Sequence, residues 1–218
     1  NSVSREAYED RDHGFVSYAK EGNAGLGLIR NEYEKWSGYI ITMSSKSPSP
    51  IEEDYKSVLL HEYFHVYQNA HIHSRDIGER ASRSQENPWW TEGGAEYMAQ
   101  LLYSQQAGVR PNYLKEVMTW KLRSLGKLSD GQGIQNIPYD HPDTIIAYDL
   151  GAWFIAFLVH KTSEEAYRVH FFEQLNEAGF EKAFFNSFGA SHLDFLHEFH
   201  SEFLPTSLQE KLDILPEG

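Results

Sequence analysis

Apolar positions along this chain change period once. Before about residue 45 they come in short β-type runs. Gly14 to Ala19 alternates, Leu26 to Arg30 forms a second run, and Tyr39-Ile40-Ile41-Thr42-Met43 is the richest in β-branched and aromatic residues. Gly22 to Gly25 reads as a turn between them, without the lysine of a phosphate-binding loop. Ser47-Pro48-Ser49-Pro50 ends this region. Ser49 with Glu52 fits a capping box, with Pro50 at the first helical position, so a helix is expected from about 50 to Ala70. Beyond it the spacing is helical almost throughout.

Helices are expected over about 88–106, 111–125, 144–160, 162–178, 181–188 and 192–203. The stop residues Gly126, Gly179, Gly189 and Pro205 separate several of them, and Thr162 with Glu165 suggests a capping box. Ser74 to Asn87 and residues 127–143 read as loops. The fold class is therefore α+β: a small N-terminal mixed β-sheet, then a mainly helical part, in one domain of 218 residues. Sheet and first helix occupy about 13–70, and the helical part about 88–218.

Chemistry concentrates in the first helix, at His61-Glu62-Tyr63-Phe64-His65. Histidines four apart share one helix face and can grip a single ion. Glu62, beside the first of them, suits a general base acting on a metal-bound water. Val58-Leu59-Leu60 before the motif and Val66-Tyr67 after it make the segment apolar nearly all round. Ionisable groups in such a helix are costly unless paired or coordinated. The competing reading is a pair of satisfied core histidines.

A third ligand is sought in Pro88-Trp89-Trp90-Thr91-Glu92-Gly93-Gly94-Ala95-Glu96-Tyr97. Glu92 lies 27 positions after His65, and Glu96 shares its helix face. Two adjacent glycines are poor helix formers but allow close approach of another helix. Glu96 is then placed to accept a hydrogen bond from the outer nitrogen of a ligand histidine. Trp89, Trp90, Tyr97 and Met98 around these carboxylates argue against a solvated acidic face.

H-E-x-x-H followed by W-x-E-G-x-A-E-Y resembles the glutamate-zincin metallopeptidases. The likeness is to the catalytic core of bacterial collagenases and to the thermolysin-like and leukotriene-hydrolase-like aminopeptidases. It covers about His61 to Tyr97, and implies one zinc ion per chain held by His61, His65 and Glu92. Tyr148-Asp149-Leu150-Gly151-Ala152 is similar to the Y-x-K-G-x segment of the aminopeptidases, whose tyrosine stabilises the oxyanion; it maps to Tyr148. Leu150 stands where that family has lysine, and the G-x-M-E-N motif of the aminopeptidases is missing. Gly151 and Ala152 are expected to let the Tyr148 helix pack against the metal helix. Tyr139 and His141, in the loop before it, are alternative oxyanion donors.

A net charge of −13 argues against nucleic acid and anionic membrane surfaces as partners, since both need basic patches. No apolar run reaches the ~18 residues of a membrane helix. The chain has no cysteine, so there is no disulfide framework. It begins at Asn1 rather than Met, which together with the resemblance suggests a processed extracellular or periplasmic protein. Peptide-bond hydrolysis by a metal-activated water, acting on a peptide or protein substrate, is the expected function. The alternative is an inactive zincin-like domain that binds another protein; a fourth protein ligand on the metal would mark it.

Overall fold

The computed structural model describes residues 25–30, 35–42, 55–129 and 131–216. The expected strand over 14–19, the capping box of Ser49 and Glu52, and the expected turn at 22–25 except for Gly25, which opens a strand, lie outside them. The described architecture is α+β, with a small antiparallel sheet ahead of a body of helices.

Strand β1 (Gly25–Arg30) pairs with β2 (Trp36–Thr42), Gly25 opposite Thr42 and Ile29 opposite Gly38. A bulge shifts the register so that Arg30 faces Trp36. The Trp36 N–H donates to the Arg75 carbonyl at 2.7 Å, which ties the hairpin to the segment following the first helix.

That helix, α1 (Lys56–Ala70), carries the H-E-x-x-H motif. Its end is held by the buried Arg80, which donates to the carbonyls of Asn69 at 2.6 Å, Ser74 at 3.0 Å and Ile72. A cation on the last carbonyls of a helix satisfies groups that have no intrahelical donor. His71 Nδ1–H donates to the Tyr67 carbonyl at 2.8 Å, so His71 also serves the helix end.

The expected loop over Ser74 to Asn87 contains a short helix, α2 (Ile77–Arg83). The Asp76 side chain caps it by accepting from Glu79 N–H at 2.9 Å. Two turns are too short to show a hydrophobic period, which is why the sequence reads as loop. There follow α3 (Pro88–Ser104), α4 (Tyr113–Lys121) with a 3₁₀ extension over Leu122–Lys127, and α5 (Ile145–Lys161). A π-helical turn over Ala166–Phe171 leads into α6 (Phe172–Ala178). Then come α7 (Phe180–Phe188), α8 (His192–Glu198) with a π-helical end over Phe199–Phe203, and α9 (Leu208–Asp213).

Thr162 does not cap the segment after α5. Its hydroxyl donates back to the Leu158 carbonyl at 2.7 Å, while Ser163 Oγ accepts from Ala166 N–H at 2.9 Å. The start is thus one residue later than the sequence suggests.

Helix α3 is the axis of the molecule: α1 packs on one side and α5 on another. Gly93 faces Gly151 of α5 so closely that an added Cβ would lie 2.5 Å from the Gly151 carbonyl carbon. Gly94, the next residue, faces the Tyr167 hydroxyl and Gln68 of α1. The paired glycines therefore admit two neighbours at once. Gly151 does not bring α5 against the metal helix, as its place beside Tyr148 suggests; it meets Trp89 and Gly93 of α3 instead. Around this crossing Trp89, Trp90, Phe154, Phe171, Phe180 and Phe184 form an aromatic core with ring centroids about 5–6 Å apart, mostly edge to face. Among the described residues no single helix is long and apolar enough to cross a membrane.

Candidate metal centre

One turn of α1 separates His61 from His65, and the rings stand edge to face with centroids 4.8 Å apart. The start of α3 crosses beside them and delivers Glu92. His61 Nε2 lies 3.2 Å from Glu92 Oε2, His65 Nε2 lies 3.1 Å from the same oxygen, and the two nitrogens are 3.1 Å apart. Three donor atoms thus form a nearly equilateral triangle. Ligands about 2.0–2.1 Å from a tetrahedral zinc are separated by roughly 3.3 Å, so the triangle has the size of one face of such a site. Two imidazole nitrogens aimed at each other and at a carboxylate oxygen need a cation, proton or metal, between them.

The outer nitrogens are already engaged. His61 Nδ1–H donates to Glu96 Oε2 at 3.0 Å, and His65 Nδ1–H donates to Gln68 Oε1 at 2.8 Å. Gln68 is fixed in turn by donating to the Thr91 carbonyl at 2.9 Å. This pattern puts a proton on each Nδ1 and turns each Nε2 toward the triangle, the atom that becomes a ligand once it carries no proton.

Charge in the triangle follows from these contacts. Burial works against a charged His61, but hydrogen bonds and charge from Glu92 and Glu96 outweigh it and hold its pKa up at about 10. Burial would also raise Glu92, yet His61 and His65 keep its carboxyl well below the ordinary range. Glu96 is likewise held low, against its burial, by Lys121 and His61. A divalent cation entering the triangle therefore displaces a proton.

Glu62 is buried, and burial raises its pKa above the ordinary value, only partly offset by the two histidines. It lines a cavity of about 250 Å³ together with His61, Glu96, Lys121, Ile145, Tyr148 and Asp149. Tyr148 thus shares the cavity with Glu62. Tyr139 reaches the centre from the loop: its hydroxyl donates to Glu92 Oε1 at 2.8 Å, the oxygen not in the triangle. Tyr139 is half exposed, but desolvation of the hydroxyl and the charge of Glu92 beside it push the phenol upward, so it stays a donor. His141 Nδ1 accepts from Asp143 N–H at 3.1 Å and is used in its own turn.

Two further residues stand at the site that the sequence does not single out. Lys121 Nζ lies 2.6 Å from Glu96 Oε1 and 3.3 Å from Asp149 Oδ1. Their signals are faint but present. Lys121 continues the buried spacing of Leu114, Val117 and Met118, and Asp149 is the one acid in the apolar α5.

A family model described as M61 glycyl aminopeptidase matches residues 54–146. The span covers less than half of the chain and contains His61, Glu62, His65, Glu92, Glu96, Lys121 and Tyr139, but neither Tyr148 nor Asp149. No curated protein and no solved structure matches the chain. The likeness is to a peptidase family, and it falls on the stretch that builds the triangle.

Proposed function

We propose that the protein hydrolyses peptide bonds with one zinc ion held by His61, His65 and Glu92. The observation that carries this reading is the triangle of Nε2, Nε2 and Oε2 with edges of 3.1–3.2 Å beside a buried glutamate that is not part of it. The donor set of two imidazoles and one carboxylate suits a catalytic zinc, which keeps one position open, whereas a structural zinc takes four protein ligands. Among the described residues the group capable of holding an ion has three members. That count disfavours a purely binding module, as does the match to a peptidase family. The glutamate-zincin mechanism, with its collagenase- and thermolysin-like precedents, is part of the proposal.

When bound, the zinc would acidify a water and polarise the scissile carbonyl. Glu62 Oε takes the water proton and returns it to the leaving amine. Burial strengthens Glu62 as a base, since its carboxylate is poorly solvated. Tyr148, in the same cavity, is assigned the hydrogen bond to the developing oxyanion. Tyr139 is assigned a different task, holding the outer oxygen of Glu92.

Metal content tests the centre. Protein purified without added metal is expected to carry one zinc per chain by elemental analysis, and Glu92→Ala to lose most of it. Full retention in that variant would remove Glu92 from the ligand set.

The two tyrosines separate on different readouts. Tyr148→Phe is expected to lower kcat by roughly 10²–10³ with little change in KM, as for one oxyanion donor. Tyr139→Phe should instead weaken zinc retention against a chelator. Loss of kcat in Tyr139→Phe with normal activity in Tyr148→Phe would exchange the two assignments.

A further inference from the structure

Behind His61, away from the triangle, a line of largely buried polar groups runs through four helices. Glu96 of α3 sits at its head. Its Oε2 accepts from His61 Nδ1–H at 3.0 Å. Its Oε1 lies 2.6 Å from Lys121 Nζ and accepts from Gln100 Nε2 at 3.1 Å. Both carboxylate oxygens are thereby committed, and the side chain cannot rotate without breaking contacts at both ends. Lys121, from α4, is held on its far side by Asp149 of α5 at 3.3 Å. Asp149 accepts in turn from Ser124 Oγ at 2.5 Å, and Gln100 Oε1 accepts from Tyr113 Oη at 2.7 Å. Exposure falls along the line: the side chains of Glu96, Lys121 and Asp149 are 17%, 7% and 2% accessible.

Stability alone does not account for such an arrangement. Moving an ammonium and two carboxylates largely out of water is costly, and apolar side chains of similar volume often serve a fold as well or better. What the line does achieve is definite: it fixes Glu96 Oε2, which fixes the His61 ring, which aims Nε2 into the triangle.

We propose that Lys121 is a positioning residue of the metal centre, acting through Glu96 on His61 and anchored from behind by Asp149. The inference rests on the metal-centre reading of His61, His65 and Glu92. A carboxylate bonded only to His61 could swing about its own side-chain torsions. With Oε1 clamped by Lys121 and Gln100, only Oε2 is left for the imidazole. The ammonium also balances charge where Glu96 and Asp149 approach the same point. Through it the ring orientation of a residue on α1 depends on the packing of α4 and α5, two helices that supply no ligand.

The test measures zinc binding rather than turnover. The full chain is stripped of metal, and its zinc dissociation constant is read by competition with a chromophoric chelator. Unfolding of the metal-free protein is followed in parallel. Lys121→Met is expected to weaken zinc binding about 10–100-fold, the usual consequence of losing a group that orients a ligand. Lys121→Arg, which keeps a cation between the two carboxylates, should recover part of that loss. Lys161→Met, which removes an exposed pair with Glu198, should leave zinc affinity unchanged. A Lys121→Met protein that binds zinc as tightly as wild type overturns the inference. Should that variant fail to fold, Asp149→Asn carries the measurement, because it leaves Lys121 against Glu96 but loosens its anchor. Wild-type zinc affinity in Asp149→Asn is then the overturning result, and a weakened affinity the supporting one. If the wild-type chain itself takes no zinc, the metal-centre reading falls and this inference with it, a result unlike normal wild-type binding with an indifferent Lys121.

Discussion

Glu62→Gln is expected to keep the fold and the metal and to lose hydrolytic rate by about 10²–10⁴, the usual contribution of proton transfer. The substitution keeps the volume of a side chain that is only 6% exposed, so packing around it is conserved. It removes the one property the proposed mechanism needs, an acceptor for a water proton. Burial would raise the energy of the Glu62 carboxylate in the folded protein, and the two histidines offset this only in part. An amide in its place carries no charge to desolvate, so folding stability should hold or rise slightly. Three measurements on one preparation decide the matter: zinc by elemental analysis, unfolding by denaturant, and initial rates on fluorogenic peptides. Wild-type rates in a fully metallated Glu62→Gln protein would sink the general-base assignment. Loss of zinc together with rate would instead mean that Glu62 contributes to holding the metal.

Much of this site is legible in the amino-acid sequence, and for a local reason. His61, Glu62 and His65 lie on one helix, where a spacing of four fixes the geometry without tertiary information. Glu92 and Glu96 also declare themselves as a pair one turn apart. Which carboxylate goes to which nitrogen follows once α1 and α3 are set side by side. Lys121 and Asp149 are different. Their contacts join residues 25 or 28 positions apart in sequence, across helices whose order around α3 has no sequence signature. A lysine at a buried helical position and a lone acid in an apolar helix are each ambiguous; only together do they form an ion pair. Tyr139 is one of two loop candidates, with His141, because a loop residue has no period to aim it. Gly151 misleads for a related reason: a small residue shows that something approaches closely, not which helix does.

Gly93→Ala is expected to destabilise the metal-free protein by about 3 kcal/mol, at the upper end for overpacking a tight core. In an exposed helix the same change would stabilise by about 1 kcal/mol through propensity. Here the added methyl would lie 2.5 Å from the Gly151 carbonyl carbon, 2.6 Å from its Cα and 2.9 Å from Ala152 N. Carbon atoms in good contact are about 3.5–4.0 Å apart, so α3 and α5 must separate by roughly 1 Å. All three obstructing atoms are backbone atoms inside a buried helix, so no side-chain rotation relieves the clash. Separation would loosen Trp89 against Phe154, ring centroids 5.3 Å apart across the same crossing. It would also shift Glu92, the neighbouring residue, relative to the two histidines. Zinc affinity should therefore fall along with stability, although Gly93 touches no ligand atom. Gly126→Ala provides the contrast, since a Cβ there meets nothing within 4 Å and its change should be close to neutral. Urea unfolding of the two metal-free variants, with zinc competition alongside, gives both numbers. Gly93→Ala as stable as wild type would mean that α3 and α5 can part without cost, and that the close crossing does not set the position of Glu92.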